Sequence, residues 1–570
     1  MPERGMLNGA EMILEFLRAQ GTDCIFASPI AVMAPLWEAL AQRRARGGEE
    51  KPRYFQCRHE SLAVSLASGY YKATGRAQVV FLPTGLGVLH GAMALRTALQ
   101  ERVPMTVLSP DTLTYGDVPE LDPGPEWPSL LIDQHGPARD AEPCVKWAKE
   151  AKTPGDLAHE LRRALYFAET IPRGPTLLTV SFDQLLSPTP LPPASRIEPH
   201  PVMAAPGQLD DVAALLARAE EPVIITEHGG RTDGERAALI GLAEALAAPV
   251  FEFMLPAYHN VPRTHPLAML GPVEPLVLER ADVILIAGAN GPWHPPQLPM
   301  RPEASIVHLE EDPLRPRSAY WGYRTTHAVA GDRYLNLEAL LQRVRQRLPT
   351  PPAARAQRWH AQKERAITHG RRDADAALAQ AHGAVPAAEL FRALHRVLPA
   401  SSIIVDEIVA QTPQMIQFLF EQKPFEQYRG WVGALGTSMG TALGVKAARP
   451  ERAVVCILGD GALHYNPVHA AFGFAQEHGL PILVVVCDNR GYFSQTWNVH
   501  KYFPEGTAVK TGQFIGNVID PTPDYAKLVE AYGGAGERVT APAELDPAIR
   551  RALSTLAAGR SALLDVFVEP

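Results

Sequence analysis

Residues 453–494 read AVVCILGDGALHYNPVHAAFGFAQEHGLPILVVVCDNRGYFS. An apolar run ends in Gly459-Asp460-Gly461, a helical pattern of about fifteen residues follows, and a second apolar run delivers Asp488-Asn489 with Gly491 just beyond. Short β-branched runs joined by a helix read as neighbouring parallel strands buried on both faces. Such strands end side by side, so Asp460 and Asn489 should converge although 29 positions separate them. A carboxylate, an amide oxygen and a backbone carbonyl, completed by diphosphate oxygens and water, make the octahedral oxygen shell that Mg²⁺ requires. The glycines let a ligand approach the backbone, and a helix opening near Ala462 turns free N–H groups toward phosphate.

The same alternation of strand and helix extends outward through the chain. CIFASP, QVVFLPTG, PMTVLSP and TLLTVSF read as strands of a first α/β domain over residues 1–186, with SLAVSLASGYYKATG and LHGAMALRTALQ as helices. Residues 187–206 are proline-rich and show neither period, which predicts an extended linker. A central domain, 207–344, carries PVIITEHGG, PVFEFM, ADVILIAGAN and ASIVHLEED. A polar, alanine-rich linking helix spans 345–385, and a third domain, 386–570, holds SSIIVDE, the quoted segment and ALLDVFVEP. The predicted class is α/β, three doubly wound parallel sheets.

Composition narrows the partners. The 570 residues are 46% hydrophobic, enough for several cores, and carry 54 basic against 62 acidic residues without long blocks, so no surface is expected to hold nucleic acid. Five widely spaced cysteines, several inside apolar runs, suit a reduced cytoplasmic protein. The first 21 residues read as an amphipathic helix with interior charges, and no apolar run approaches the length of a membrane span, so neither export nor membrane insertion is expected.

The quoted segment resembles the cofactor motif of thiamine-diphosphate enzymes, in the group that includes acetolactate synthase, pyruvate decarboxylase and benzoylformate decarboxylase. The resemblance implies that Asp460, Asn489 and the Gly491 carbonyl are the metal ligands, with Gly459, Gly461 and Ala462 against the diphosphate. Arg58-His59-Glu60 before a helix ending in GYYKATG resembles the family's His-Glu pair, which makes Glu60 the acid that contacts the cofactor's pyrimidine. Gly436-Thr437-Ser438-Met439-Gly440 resembles the loop whose bulky apolar residue wedges between the cofactor's rings, a role assigned here to Met439. Thr84-Gly85-Leu86-Gly87 resembles a turn near the pyrimidine, with Leu86 in place of the usual proline and His90 where asparagine is common. The resemblance implies a homodimer or homotetramer with the site shared between two chains.

Substrate residues depart from the known patterns. Pyruvate decarboxylases carry a His–His pair that SPDTLTYGD lacks, and a glutamate where Gln495 stands; benzoylformate decarboxylases carry a serine and a histidine where this chain has Ala31 and Phe81. Candidate pocket residues are Ala31, Phe81, His90, His265, His464, Tyr465, Tyr492, Ser494 and Gln495. The resemblance implies a 2-oxo acid or aldehyde substrate, handled by decarboxylation or carboligation. FAD has no placeable signature in the central domain. Alternatives are a CoA-ester 2-hydroxyacyl lyase or an FAD-linked oxidase of the same superfamily, and a catalytically silent scaffold, which has no need of Glu60. A nicotinamide enzyme lacks its complete glycine fingerprint here.

Overall fold

The computed structural model describes residues 6–569 except 48–50, 113–120, 123–127, 129–134, 194–197, 253–255, 294–299, 316–323, 381–382 and 431–432. The end of the expected strand PVFEFM and part of SPDTLTYGD therefore lie outside the described residues. The chain packs as two compact units: residues 1–200 with 432–449 and 469–478, and residues 201–431 with 450–468 and 479–570.

In the first unit the strands are β1 (Met6–Asn8), β2 (Cys24–Ala27), β3 (Arg53–Gln56), β4 (Gln78–Phe81), β5 (Met105–Asp111), β6 (Trp147–Glu150), β7 (Pro175–Ser181) and β8 (Pro188–Pro190). Six of them form a parallel sheet in the order β3-β2-β4-β5-β7-β6. The proline-rich connector is not wholly without structure, because β8 pairs antiparallel with β1. Two prolines are tolerated in so short a strand, which needs few ladder N–H groups.

The second unit holds two parallel sheets. The central one contains β9 (Pro222–Thr226), β10 (Val250–Glu252), β11 (Val283–Ala287), β12 (Ser305–Glu310) and β13 (His327–Ala330), ordered β10-β9-β11-β12-β13. The third contains β14 (Ile403–Glu407), β15 (Glu426–Arg429), β16 (Val454–Gly459), β17 (Leu483–Asp488), β18 (Ala535–Val539) and β19 (Ala562–Phe567), ordered β15-β14-β16-β17-β19-β18. First and third sheets are thus connected identically, and in each the strand order reverses beside the opening strand. Reversal leaves a crevice at the carboxyl ends, where open α/β sheets receive ligands. The long helix Ala353–Ala379 buries one stripe, Trp359, Lys363, Ile367, Gly370 and Ala374.

The helix expected after Gly461 is two helices, Asp460–Leu463 and Val468–His478. Pro467 has no N–H for the helical ladder and crowds the preceding turn, so the first helix cannot run on.

Within the first unit the helix Glu60–Thr74 meets the helix Ser438–Ala448 backbone to backbone. A Cβ on Gly69 would lie 2.0 Å from the Thr441 carbonyl oxygen, one on Gly444 2.1 Å from that of Leu66, and one on Gly440 2.5 Å from Ser65 Cβ. Glycine at these positions sets the spacing of the two helices. Gly69→Ala should therefore lower unfolding stability by about 1–3 kcal/mol through overpacking. Gly207→Ala, where no atom lies within 4 Å of the added carbon, should not lower it. Urea midpoints of the two variants make the comparison.

Candidate functional site

Glu60 is the first residue of its helix, directly past the end of β3, and His59 is the extended N-cap. Ser28, in the turn after β2, donates from Oγ to Glu60 Oε1 at 2.8 Å, and His90 Nδ1 lies 2.5 Å from Oε2. Burial raises the Glu60 carboxyl, but the hydrogen bonds from Ser28 and His90 outweigh it, and the net shift is downward. His59 stacks near His90 at 4.3 Å between ring centroids, and its Nδ1 lies 3.0 Å from Ser61 Oγ. Burial and the His90 ring hold His59 below its ordinary value. The turn before the His90 helix is strained: Thr84 is a β-branched residue at φ 42°. Pro83 packs so closely against Gly87 that a Cβ there would lie 2.5 Å from its ring.

The second group of residues stands at the ends of β16 and β17, whose register pairs Gly459 with Cys487 and so sets Asp460 beside Asp488. Asp460 Oδ1 accepts from Gly461 N and Oδ2 from Gly491 N, both at 2.8 Å. One of the helix-start N–H groups expected to face phosphate is thus taken by Asp460 itself. The Asn489 amide can be seated two ways. With its oxygen inward, that atom lies 3.2 Å from Asp460 Oδ1 and 2.8 Å from the Gly491 carbonyl oxygen, three acceptors with no proton between them. Turned over, its NH₂ donates to both and its oxygen accepts from Gln411 Nε2 at 3.1 Å. The first arrangement is the one a hard cation would stabilise. Burial and the neighbouring Asp488 carboxylate push Asp460 up, and burial likewise raises Asp488. Two buried carboxylates side by side are an electrostatic deficit that a divalent ion relieves.

A strap fixes this geometry. Gly491 bridges to Val518, Tyr492 N donates to the Asn517 carbonyl at 2.8 Å, and Ile519 N to the Arg490 carbonyl at 2.9 Å. A Cβ on Gly491 would sit 2.2 Å from the Asn517 oxygen, so only glycine admits the strap. Around the strand ends, the Tyr492 ring covers Gly461 within 2.7 Å of where a Cβ would be, and His464 Nε2 lies 3.0 Å from Tyr525 Oη. Tyr465 is exposed, and Ser494 Oγ donates to Gln495 Oε1 at 2.8 Å on an exposed helix. Asn466 donates to Glu407 Oε2 at 3.2 Å, which ties the end of β14 into the same group. Gln411, Glu407, Ser28 and Tyr525 escaped the sequence reading, and Asp488 was read only as the neighbour of Asn489. Ser28 and Glu407 could have been found by taking the residue at each strand's carboxyl end.

Several expected pocket residues do not behave as such. Phe81 is the last residue of an interior strand and belongs to the first sheet's hydrophobic core. Ala31 is exposed on a single 3₁₀ turn. His265 is engaged locally, by Glu244 at 3.3 Å and by Leu267 N at 3.3 Å. Met439 lies inside its helix and is 0% exposed, so no bound group can reach it in this conformation. Among the described residues of that loop, Ala434 and Leu435 are the partly exposed apolar residues, and Leu435 is the bulky one, beside the turn that Gly436 makes at φ 105°.

In the central sheet the crevice at the ends of β9, β11 and β12 is filled by the chain's own charges. Arg231 pairs with Glu311 at 2.6 Å with both side chains fully enclosed. Arg333 reaches Glu310 at 2.9 Å and Glu235 at 3.4 Å, and Arg315 donates to the Ala289 and Asn290 carbonyls. Burial pushes Glu227 up to about 7, and it accepts from Asn290 N at 2.5 Å.

Comparison with known proteins agrees with this architecture. Family models for thiamine pyrophosphate enzymes match three segments: the N-terminal TPP binding domain at residues 7–120, the central domain at 209–340, and the C-terminal TPP binding domain at 410–566. The chain is similar to the acetolactate synthase isozyme 3 large subunit of Escherichia coli, at 27% identity over 99% of this chain and 95% of that one. It is also similar to benzoylformate decarboxylase of Pseudomonas aeruginosa, at 25% over 97% of each. Its fold matches the solved thiamine diphosphate-dependent 4-hydroxybenzoylformate decarboxylase of Rhodococcus jostii RHA1, with TM-score 0.78 and 23% identity over 99% of each chain.

The paired carboxylates have a measurable consequence. A carboxyl raised by folding binds its proton more tightly in the folded chain, so metal-free stability falls as pH climbs from the unfolded value, about 4, toward the raised one. Asp488→Asn keeps an oxygen for the Arg490 N–H, now 3.0 Å from Asp488 Oδ1, and offers Asp460 a donor. In metal-free buffer it should melt above the wild type at about pH 8, with the two converging near pH 4. Scanning calorimetry across that range decides it.

Proposed function

This chain belongs to the thiamine pyrophosphate enzyme family, and we propose that it is a magnesium-dependent enzyme acting on a 2-oxo acid, with decarboxylation and carboligation as its two outcomes. The observation that carries the proposal is the convergence of Asp460, the Gly491 carbonyl and the Asn489 amide, which in one of its two seatings turns a third oxygen inward and so fits a cation. When bound, thiamine diphosphate supplies a carbon that adds to a carbonyl and takes up the electrons released as the neighbouring bond breaks.

The chain's own residues supply the rest. Asp460, Asn489 and the Gly491 carbonyl hold Mg²⁺, while Gly459, Gly461, Ala462 and Gln411 line the diphosphate. Glu60, its oxygens oriented by Ser28 and His90, exchanges a proton with the pyrimidine nitrogen. Thr84 and Gly85 shape the turn beside it, Gly436 turns the loop, and Leu435 in place of Met439 supports the bent cofactor. His464, Tyr465, Tyr492, Tyr525 and Gln495 are the polar groups placed to meet a substrate carboxylate and to deliver a proton to the product. Relatives named for acetolactate synthesis and benzoylformate decarboxylation support the substrate class. The filled crevice of the central sheet disfavours the FAD- and CoA-dependent alternatives among the described residues, since the ion pairs stand where a nucleotide would lie. Among the described residues no helix is long and apolar enough to cross a membrane, which accords with a cytoplasmic enzyme.

The substrate test is carbon dioxide release from linear, branched and aromatic 2-oxo acids, with condensed products identified; silence across the panel would turn the reading toward a CoA-ester lyase. Two variants separate the roles. Asp460→Ala should lose cofactor binding by titration calorimetry in the presence of magnesium. Glu60→Gln should retain binding but slow C2 proton exchange by about 10²–10⁴-fold, as expected on removing one acid–base group.

We further propose a homodimer in which Glu60 of one chain serves the metal site of the other. Co-expression of Glu60→Gln with Asp460→Ala chains should then restore about a quarter of wild-type activity, because random assortment of a two-fold dimer yields one intact site in each mixed pair. A site built within one chain would stay dead in that mixture.

A further inference from the structure

We propose that His90 is the proton-carrying positioning residue of Glu60, passing a proton between its own open side and the enclosed carboxyl. This rests on the reading of Glu60 given above. Glu60 must gain and lose a proton in every activation, yet its side chain is only 15% exposed and both oxygens are already engaged. His90, by contrast, is 58% exposed and touches the carboxyl through one ring nitrogen. Gly91 packs beside the pair: a Cβ there would lie 3.0 Å from Leu82 Cδ1 and in ordinary contact, 3.6 Å, with Glu60 Cβ.

The transfer balances without a further reactant. With Glu60 ionised, His90 Nδ1 carries the proton of their hydrogen bond and Nε2 holds a lone pair. A proton arriving at Nε2 is matched by one handed from Nδ1 to Glu60 Oε2, which leaves a neutral imidazole of the other tautomer and a protonated carboxyl. The reverse sequence discharges Glu60. Serine at position 28 holds the second oxygen but cannot run this exchange, since its hydroxyl does not titrate. The other titratable groups facing the pair are His59, held to Ser61, the buried Cys57 thiol, and the Arg58–Glu477 ion pair at 2.8 Å, whose Glu477 comes from the helix Val468–His478. His59, Glu60 and His90 bring their ligand atoms within 4.8 Å of one another, so the charge on any one is felt by the others.

Two measurements test this, the first on the cofactor-free protein. With ¹⁵N-labelled histidine, the His90 ring signals are identified by their loss in His90→Asn and compared between wild type and Glu60→Gln. The Nδ1 signal should move when the carboxylate oxygen that lies 2.5 Å from it is replaced by an amide, since a charge-assisted hydrogen bond is lost. The second is C2 proton exchange of bound cofactor. His90→Asn keeps an N–H donor for Glu60 but cannot carry a proton, so exchange should slow by about 10²-fold. His90→Ala should slow similarly and recover with added imidazole. An unmoved His90 Nδ1 signal in Glu60→Gln overturns the contact on which the relay depends. Wild-type exchange in His90→Asn, with Glu60→Gln still slow, overturns the relay while leaving Glu60's role intact. Wild-type exchange in Glu60→Gln itself removes that role and the relay with it.

Discussion

Everything at the proposed cation site depends on two parallel strands finishing in register. Because Gly459 pairs with Cys487, the next residues along each strand bring two carboxylates and an amide to one buried point. Left alone, that point crowds two carboxylates, and the Asn489 amide is satisfied only with its NH₂ turned inward. The chain then adds constraint instead of relief, since the strap at residues 517–519 fixes the Gly491 carbonyl through contacts that exclude any side chain there. Folding therefore orients these oxygens in advance, an arrangement that the proposed cation would complete.

The first sheet repeats the connection of the third and uses its strand ends for the opposite electrostatic purpose. At the third sheet the carboxylates are crowded and pushed up; at the first, a single carboxylate receives donors on both oxygens and is held down. The central sheet has the same kind of reversal beside its opening strand, and closes it with enclosed arginine–glutamate pairs. Three crevices of similar topology thus carry three different chemistries, because topology fixes where side chains gather and the sequence fixes which ones they are.

Much of this was legible in advance, and the omissions share a cause. The interior strands β2, β4, β5, β7, β9, β11, β12, β14, β16, β17 and β19 are continuous apolar runs, because both faces of a parallel sheet are covered. The strands that went unread are the β1–β8 pair and β3, β6, β13, β15 and β18, all of them edges, where one flank is unpaired and polar residues such as Arg53, Lys149 and Glu537 fit. Phe81 and Met439 were misplaced for a related reason: position along a motif does not say whether a side chain points into the core or into a cavity.

The sequence by itself determined the alternation that forces parallel sheets, the strand ends that carry Asp460 and Asn489, and the helix start that carries Glu60. Those are local or periodic properties, written in runs of a few residues. Tertiary structure alone decided that Ser28 and His90 clasp Glu60, that Gln411 reaches Asn489, and that Leu435 keeps partial exposure where Met439 is closed. The partners of Glu60 and Asn489 lie far from them along the chain and meet only because sheet order and close helix packing bring their backbones together. Spacing in a sequence carries no record of such meetings, since many different side chains can occupy the carboxyl end of a strand without altering the pattern that makes it one.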